Sequence, residues 1–233
     1  MRPARLRRGI GLGLAALVLA FIGYQGWFLA HILYWRNHDP NSTSFIEARL
    51  EFLHEKRPGA SIAHQWVPYN RVSAHLKRAV IAAEDAKFVA HEGFDWEGIQ
   101  KAMEKNQRRG RVVAGGSTIT QQLAKNLFLS GERSVLRKGQ EAIINAMLEA
   151  FLGKRRILEL YLNVVEWGDT VFGAEAAARH YFGTGAAQLN AEQSARLAAM
   201  LPRPRFYERR GETEYLAQRA ETILARMPSA QVP

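Results

Sequence analysis

The chain has 233 residues, no cysteine, a formal net charge of +10 and a pI near 10.1. With 47% hydrophobic residues it can build one sizeable domain and a short extra segment. The missing cysteine excludes disulfides, zinc–thiolate centres and a thiol nucleophile. The basic balance favours an anionic partner: nucleic acid, anionic lipid or a phosphorylated substrate.

The chain opens with four arginines, Arg2, Arg5, Arg7 and Arg8, followed by a run from Gly9 to Trp35 without any Lys, Arg, Asp or Glu. As a helix that run is about 40 Å long, enough to cross a hydrocarbon core of about 30 Å with tilt. It predicts an uncleaved membrane helix over 9–35. A cleaved signal peptide would have a shorter apolar region and a small-residue exit, whereas this run ends in the bulky "LAHILYW". Trp27, Tyr34 and Trp35 suit an interface belt, and the arginines predict that 1–8 stay in the cytoplasm with the body outside.

Residues 36–57 read as a linker or stalk, with a short helix possible at Phe45–His54. The globular part is expected over 58–210, and 211–233 as a C-terminal helix and a frayed tail. Leu76, Ala79, Val80 and Ala83 recur at helical spacing, and that helix ends in Glu84 and Asp85. A carboxyl at a helix C-terminus, beside a second acid and apolar residues, holds its proton more tightly than a free one. That suits a general base; the alternative is a solvated Glu-Asp pair. Asp95 is expected to cap a helix from Trp96 to about Arg108, ahead of a basic, glycine-rich segment that suits lipid head groups, phosphates or plain solvent.

Thr118 and Gln121 have capping-box spacing. Thr118, Gln121, Gln122 and Lys125 form one stripe of hydroxyl, amides and a cation, suited to sugars or phosphate oxygens, while Ile119, Leu123 and Leu127 line the other side. Ser134 is expected to cap a helix whose core face is Leu136, Ile143, Met147 and Phe151. Arg137 and Lys138 share a face with Glu141 in the weaker cation-first order, so stability explains that arrangement poorly. Further helices are expected at 154–163, 174–182, 191–201 and 215–227. The body therefore reads as mainly α, hung from one membrane helix.

Five ordered blocks resemble the peptidoglycan glycosyltransferase family in its monofunctional form. They are "EDAKFVAHEG" from Glu84, "GGSTITQQLAKN" from Gly115, "RKGQE" from Arg137, "KRRILELYLN" from Lys154 and "GAEAAARHYFG" from Gly173. Thr184 stands where the family commonly has Lys, which puts a cation's role there in doubt. No S-x-x-K or K-T-G of a penicillin-binding half is present. The resemblance implies a lysozyme-like, two-lobed domain that polymerises the lipid-linked precursor lipid II. The growing chain is donor, a lipid diphosphate leaves, and the acceptor 4-hydroxyl attacks with inversion. It implies Glu84 as general base and Glu141 as a second essential acid, holding the basic cluster or binding a metal. Lys125 and Arg133 would bind the diphosphate, helped by Arg137 or Lys138. Ser117, Thr118, Gln121 and Gln122 would contact sugar and phosphate.

Asp85 and Phe88 complete the substrate-binding set, with Phe88 and His91 expected to support the Glu84 loop rather than do chemistry. No cofactor is required on this reading. A divalent cation, Mg or Mn, is the one candidate assistant to the diphosphate. The expected partners are lipid II, the glycan strand, membrane lipid and cell-wall synthesis or division proteins, at the bacterial inner membrane and not nucleic acid. A lysozyme-like lytic enzyme and an inert basic scaffold are the competing readings.

Overall fold

A computed structural model describes residues 3–111, 115–129 and 134–233, with side chains from Gly9 onward in the first helix. The architecture is mainly α, as the periodicity predicts. Eleven helices are found among the described residues. The first, α1 (Pro3–Trp35), carries the 27-residue apolar stretch Gly9–Trp35. Most of it is exposed, but Gln25, Phe28 and Ile32 form one buried stripe.

The expected stalk is a correction. Residues 44–56 form α2 (Ser44–Lys56), capped by Thr43 and burying Ile46, Arg49 and Leu53. The chain between the two helices is also held, because Arg156 donates to the carbonyls of Trp35 and His38 at 2.9 and 2.6 Å. The short helix read at Phe45–His54 is found, but the five charged residues of α2 hide from the sequence that it packs on the domain.

The core is built on α3 (Ala74–Glu84), whose Leu76, Ala79, Val80 and Ile81 are fully buried. It packs against α9 (Ala191–Met200) and α11 (Glu214–Arg226). The peripheral α4 (Trp96–Arg109) buries only Ala102. Next, α5 (Ile119–Phe128) packs on α6 (Val135–Phe151) and α7 (Lys154–Val164). The capping boxes read at Thr118–Gln121 and Asn190–Gln193 both form. A two-residue parallel pair joins β1 (Ala63–His64) to β2 (Val171–Phe172), ahead of α8 (Ala174–Phe182); α10 (Pro204–Arg210) precedes α11.

Two more expectations are corrected. The core face of α6 is rotated: Glu141, Ile144, Asn145 and Leu148 point inward, while Leu136 is 87% exposed. And 211–233 is no appendage. Leu216 and Ile223 are in the core, Val232 packs on it, and the Tyr69 hydroxyl donates to the Pro233 carbonyl at 2.6 Å.

Asn163 pins α7 to the segment before α3. Its amide donates to the Val67 and Glu159 carbonyls and its carbonyl oxygen accepts from the Val67 N–H, each at 2.8–2.9 Å. Gly173 fits beside it because φ is +81° and a Cβ would meet the Asn163 carbonyl oxygen at 2.6 Å. Asn163→Ala strands buried donors and acceptors, so it is expected to cost about 3 kcal/mol in chemical unfolding. An unchanged midpoint would contradict this role.

Candidate active site

Glu84 ends α3 and Asp85 is its C-cap. The two acids diverge. Asp85 turns inward, where Oδ1 lies 2.8 Å from His91 Nε2 and Oδ2 accepts from the Ile119 N–H at 3.0 Å. It thus binds the first N–H of α5, where a carboxylate is favoured. Glu84 turns to a cavity of about 1110 Å³ that it shares with Ser117, Gln122, Arg203 and Arg219.

Glu84 is gripped from two sides. The Gln122 amide donates to Oε2 at 2.8 Å, and Arg219 reaches within 3.7 Å of Oε1. Behind Gln122, the buried Tyr161 hydroxyl donates to its Oε1 at 2.9 Å. With its oxygen so occupied, the amide must present its N–H groups to Glu84. Burial pushes the Glu84 carboxyl above the ordinary range, and Gln122 and Arg219 pull it partly back. The sequence reading gave three causes for the upward push, the helix end, Asp85 and the apolar neighbours; burial is the largest, and Asp85 contributes.

A second cavity, about 510 Å³, adjoins the first through Gln122, Pro202, Arg203 and Phe206 and is lined by Lys125 and Arg137. Lys125 has no ion-pair partner among the described residues; its ammonium stands 5.4 Å over the Phe45 ring. Burial lowers its pKa, while Glu141 works in the opposite direction. Glu141 is buried beneath the cations. One carboxylate oxygen accepts from Arg137 at 2.9 Å and the other meets Lys138. The Arg137 Nε is buried with no partner among the described residues. These groups make a pre-formed anion site that a ligand could complete.

The predicted residues therefore separate. Glu84, Ser117, Gln122, Lys125 and Arg137 line the two cavities, and Lys138 flanks them through Glu141. Phe88 is a correction: it is fully buried, under the Lys154 ammonium, and cannot touch a substrate. Gln121 is another, since its side chain closes the capping box. Thr118 gives its hydroxyl to the Gly93 carbonyl at 2.8 Å, and Asp85 is spent on His91 and α5, so both position the site rather than bind. Thr184 lines neither cavity. Arg133 lies outside the described residues.

Tyr161, Arg203 and Arg219 were not singled out from sequence. Tyr161 is a core residue with a polar tip. Arg219 left a signal: it interrupts the apolar stripe Leu216, Ala220, Ile223 of α11. As for a metal, no group of three His, Asp or Glu occurs among the described residues, and both Glu141 oxygens are taken. The donor set makes no all-protein cage for a divalent cation among the described residues.

A carbon-13 NMR titration of Glu84 is expected to show a midpoint above the ordinary glutamate value of about 4.3, and Arg219→Met should move it higher still. A midpoint at or below the ordinary value would contradict the burial described here.

The profile of the family described as Transglycosylase matches residues 51–228. The chain is 59% identical over 226 residues to the biosynthetic peptidoglycan transglycosylase of Methylobacillus flagellatus, covering 97% of each chain. To the protein of that name in Dechloromonas aromatica it is 59% identical over 228 residues, covering 98% of this chain and 99% of the relative. To that of a Janthinobacterium species it is 61% identical over 216 residues, covering 93% and 94%. This chain belongs to the transglycosylase family.

Proposed function

We propose that the protein is a peptidoglycan glycosyltransferase that polymerises lipid II into glycan strands for cell wall synthesis. The observation that carries this reading is the pair of adjoining cavities in which a largely buried carboxylate, Glu84, and an anion site, Lys125 with Arg137, share Gln122 as a common wall.

The acceptor sugar's 4-hydroxyl attacks the anomeric carbon of the growing chain. Glu84 takes the hydroxyl proton as the new C–O bond forms. The bond from the anomeric carbon to the diphosphate breaks, and its electron pair leaves with the lipid diphosphate. Attack from the face opposite an α-linked leaving group gives the β linkage. Lys125 and Arg137, with Lys138 beside them, offset the charge that gathers on the leaving group. Glu141 holds Arg137 and Lys138 in place. Ser117 and Gln122 contact the sugar and phosphate oxygens. The cations suit a diphosphate leaving group. A lytic glycosidase, whose leaving group is a protonated sugar oxygen, has no use for them.

The apolar helix α1 is a single-pass anchor in the inner membrane, with the arginines cytoplasmic and the domain outside. Confinement to the plane that holds the lipid-linked substrate raises its effective concentration. No protein-held metal enters this mechanism; Mg or Mn would arrive on the diphosphate oxygens. Membrane lipid and other cell-wall synthesis or division proteins remain the expected partners.

Detergent-solubilised protein is expected to polymerise purified lipid II, and Glu84→Gln to abolish polymer while still binding the substrate. Equal turnover by the variant would sink the base assignment. Because Glu84 must be ionised, the rate should fall as pH drops through its raised pKa, so the acid limb lies above the ordinary carboxylate range. Lys125→Ala should lower turnover about 100-fold or more. Its melting temperature should hold or rise, since a partly desolvated cation is removed. Normal turnover with a large loss of stability would instead mark Lys125 as structural.

A further inference from the structure

The membrane helix does more than tether. Between Gly9 and Trp35 its polar side chains with strong hydrogen-bonding groups are few, and Gln25 is the one amide. An amide in a membrane span is costly unless it finds a partner. Gln25 finds Gln140 of α6. Its Nε2 donates to Gln140 Oε1 at 2.8 Å, and Gln140 Nε2 donates back to Gln25 Oε1 at 2.9 Å. Each amide thus uses one donor and one acceptor on the other. Gln25 is 8% exposed, on a helix where Leu19 is 69% and Tyr24 52% exposed.

The contact is a designed face rather than a single touch. Gln25, Phe28 and Ile32 follow one another at helical spacing and are all buried. Phe28 meets Phe128, at the end of α5, edge-on at 5.2 Å, and Trp35 meets the same ring at 5.1 Å. Gln25 lies about 24 Å along the helix from Gly9, so a span beginning there places the amide pair at outer-leaflet depth.

On α6 the latch sits inside the anion site's own support. Gln140 directly precedes Glu141, which holds Arg137 and Lys138. The first turn of this helix has little other packing: Val135 is 89% and Leu136 87% exposed. A bond from the membrane helix one turn further on is therefore well placed to set where that end of α6 stands.

We propose that Gln25 is a positioning residue that acts through Gln140, fixing the height and rotation of α6 so that Arg137 and Lys138 meet a lipid-linked diphosphate at the membrane surface. This rests on the function proposed above and adds a role for the anchor that proximity alone does not supply.

The test uses the full chain in lipid nanodiscs with lipid II. Gln25→Leu makes the span more apolar, so insertion is retained, and its yield in the nanodisc fraction checks that. KM for lipid II is expected to rise about fivefold to twentyfold, with a smaller change in kcat. Gln140→Leu should do the same, and the double variant should be no worse than either single one.

The chain has no cysteine, so Gln25→Cys with Gln140→Cys creates a unique pair. A short bis-methanethiosulfonate reagent, which fills the space of the two amide side chains, should cross-link it and bring KM back toward the wild-type value, and reduction should reverse this. The pair Leu19→Cys with Gln140→Cys should not cross-link. Wild-type kinetics in both leucine variants, or no cross-link in the first pair, would overturn the proposal. A wild-type chain unable to polymerise lipid II would refute the function itself and the positioning role with it. Cross-linking would still report on the contact independently.

Discussion

A carboxylate held out of water at the end of an apolar helix is the constraint to which the rest of this structure answers. Glu84 completes α3, a helix whose inward residues are fully buried, and burial keeps its proton on more firmly than solvent would. Burial alone favours the neutral form, which cannot take a proton. The Gln122 amide and the Arg219 guanidinium act in the opposite direction and favour the charged form, which is the form that the proposed base role needs. Gln122 can serve only because Tyr161 occupies its oxygen. The state of Glu84 thus depends on α3, α5, α7 and α11 together, and the last of these, Glu214–Arg226, lies far along the chain from the motif blocks.

The second half of the site is built by the opposite device. Two cations, Arg137 and Lys138, pair with one buried acid, Glu141, and Lys125 stands near them without an ion-pair partner among the described residues. Like charges held close are unfavourable until an anion arrives, so part of the folding free energy is stored as affinity for one. Glu141 prevents that repulsion from opening the helix. Its depth lets it hold Arg137 and Lys138 from behind while lining neither cavity.

Much of this was legible in the residues. The capping box at Thr118 and Gln121, the apolar span, the core face of α3 and the pairing of Arg137 and Lys138 with Glu141 all follow from local spacing, and all are found. What failed were inferences that needed a partner from elsewhere. Thr118 and Gln121 share a stripe with Gln122 and Lys125, but Gly93 and the α5 cap claim them. The α6 stripe of Leu136, Ile143 and Phe151 is apolar yet faces outward, because the core is met by Ile144 and Leu148. Residues 44–56 hide three buried side chains among charges, and Arg49 is buried only because Asp169 lies opposite it. Periodicity tells which residues share a face; it does not tell which face the fold covers.

The most direct trial of the account is a structure of the protein bound to a non-transferable lipid diphosphate sugar. The account places the diphosphate within hydrogen-bond reach of Lys125 and Arg137, with the sugar extending past Gln122 toward Glu84. A diphosphate bound away from these cations, or a sugar that points out of the cavity lined by Glu84, would contradict it.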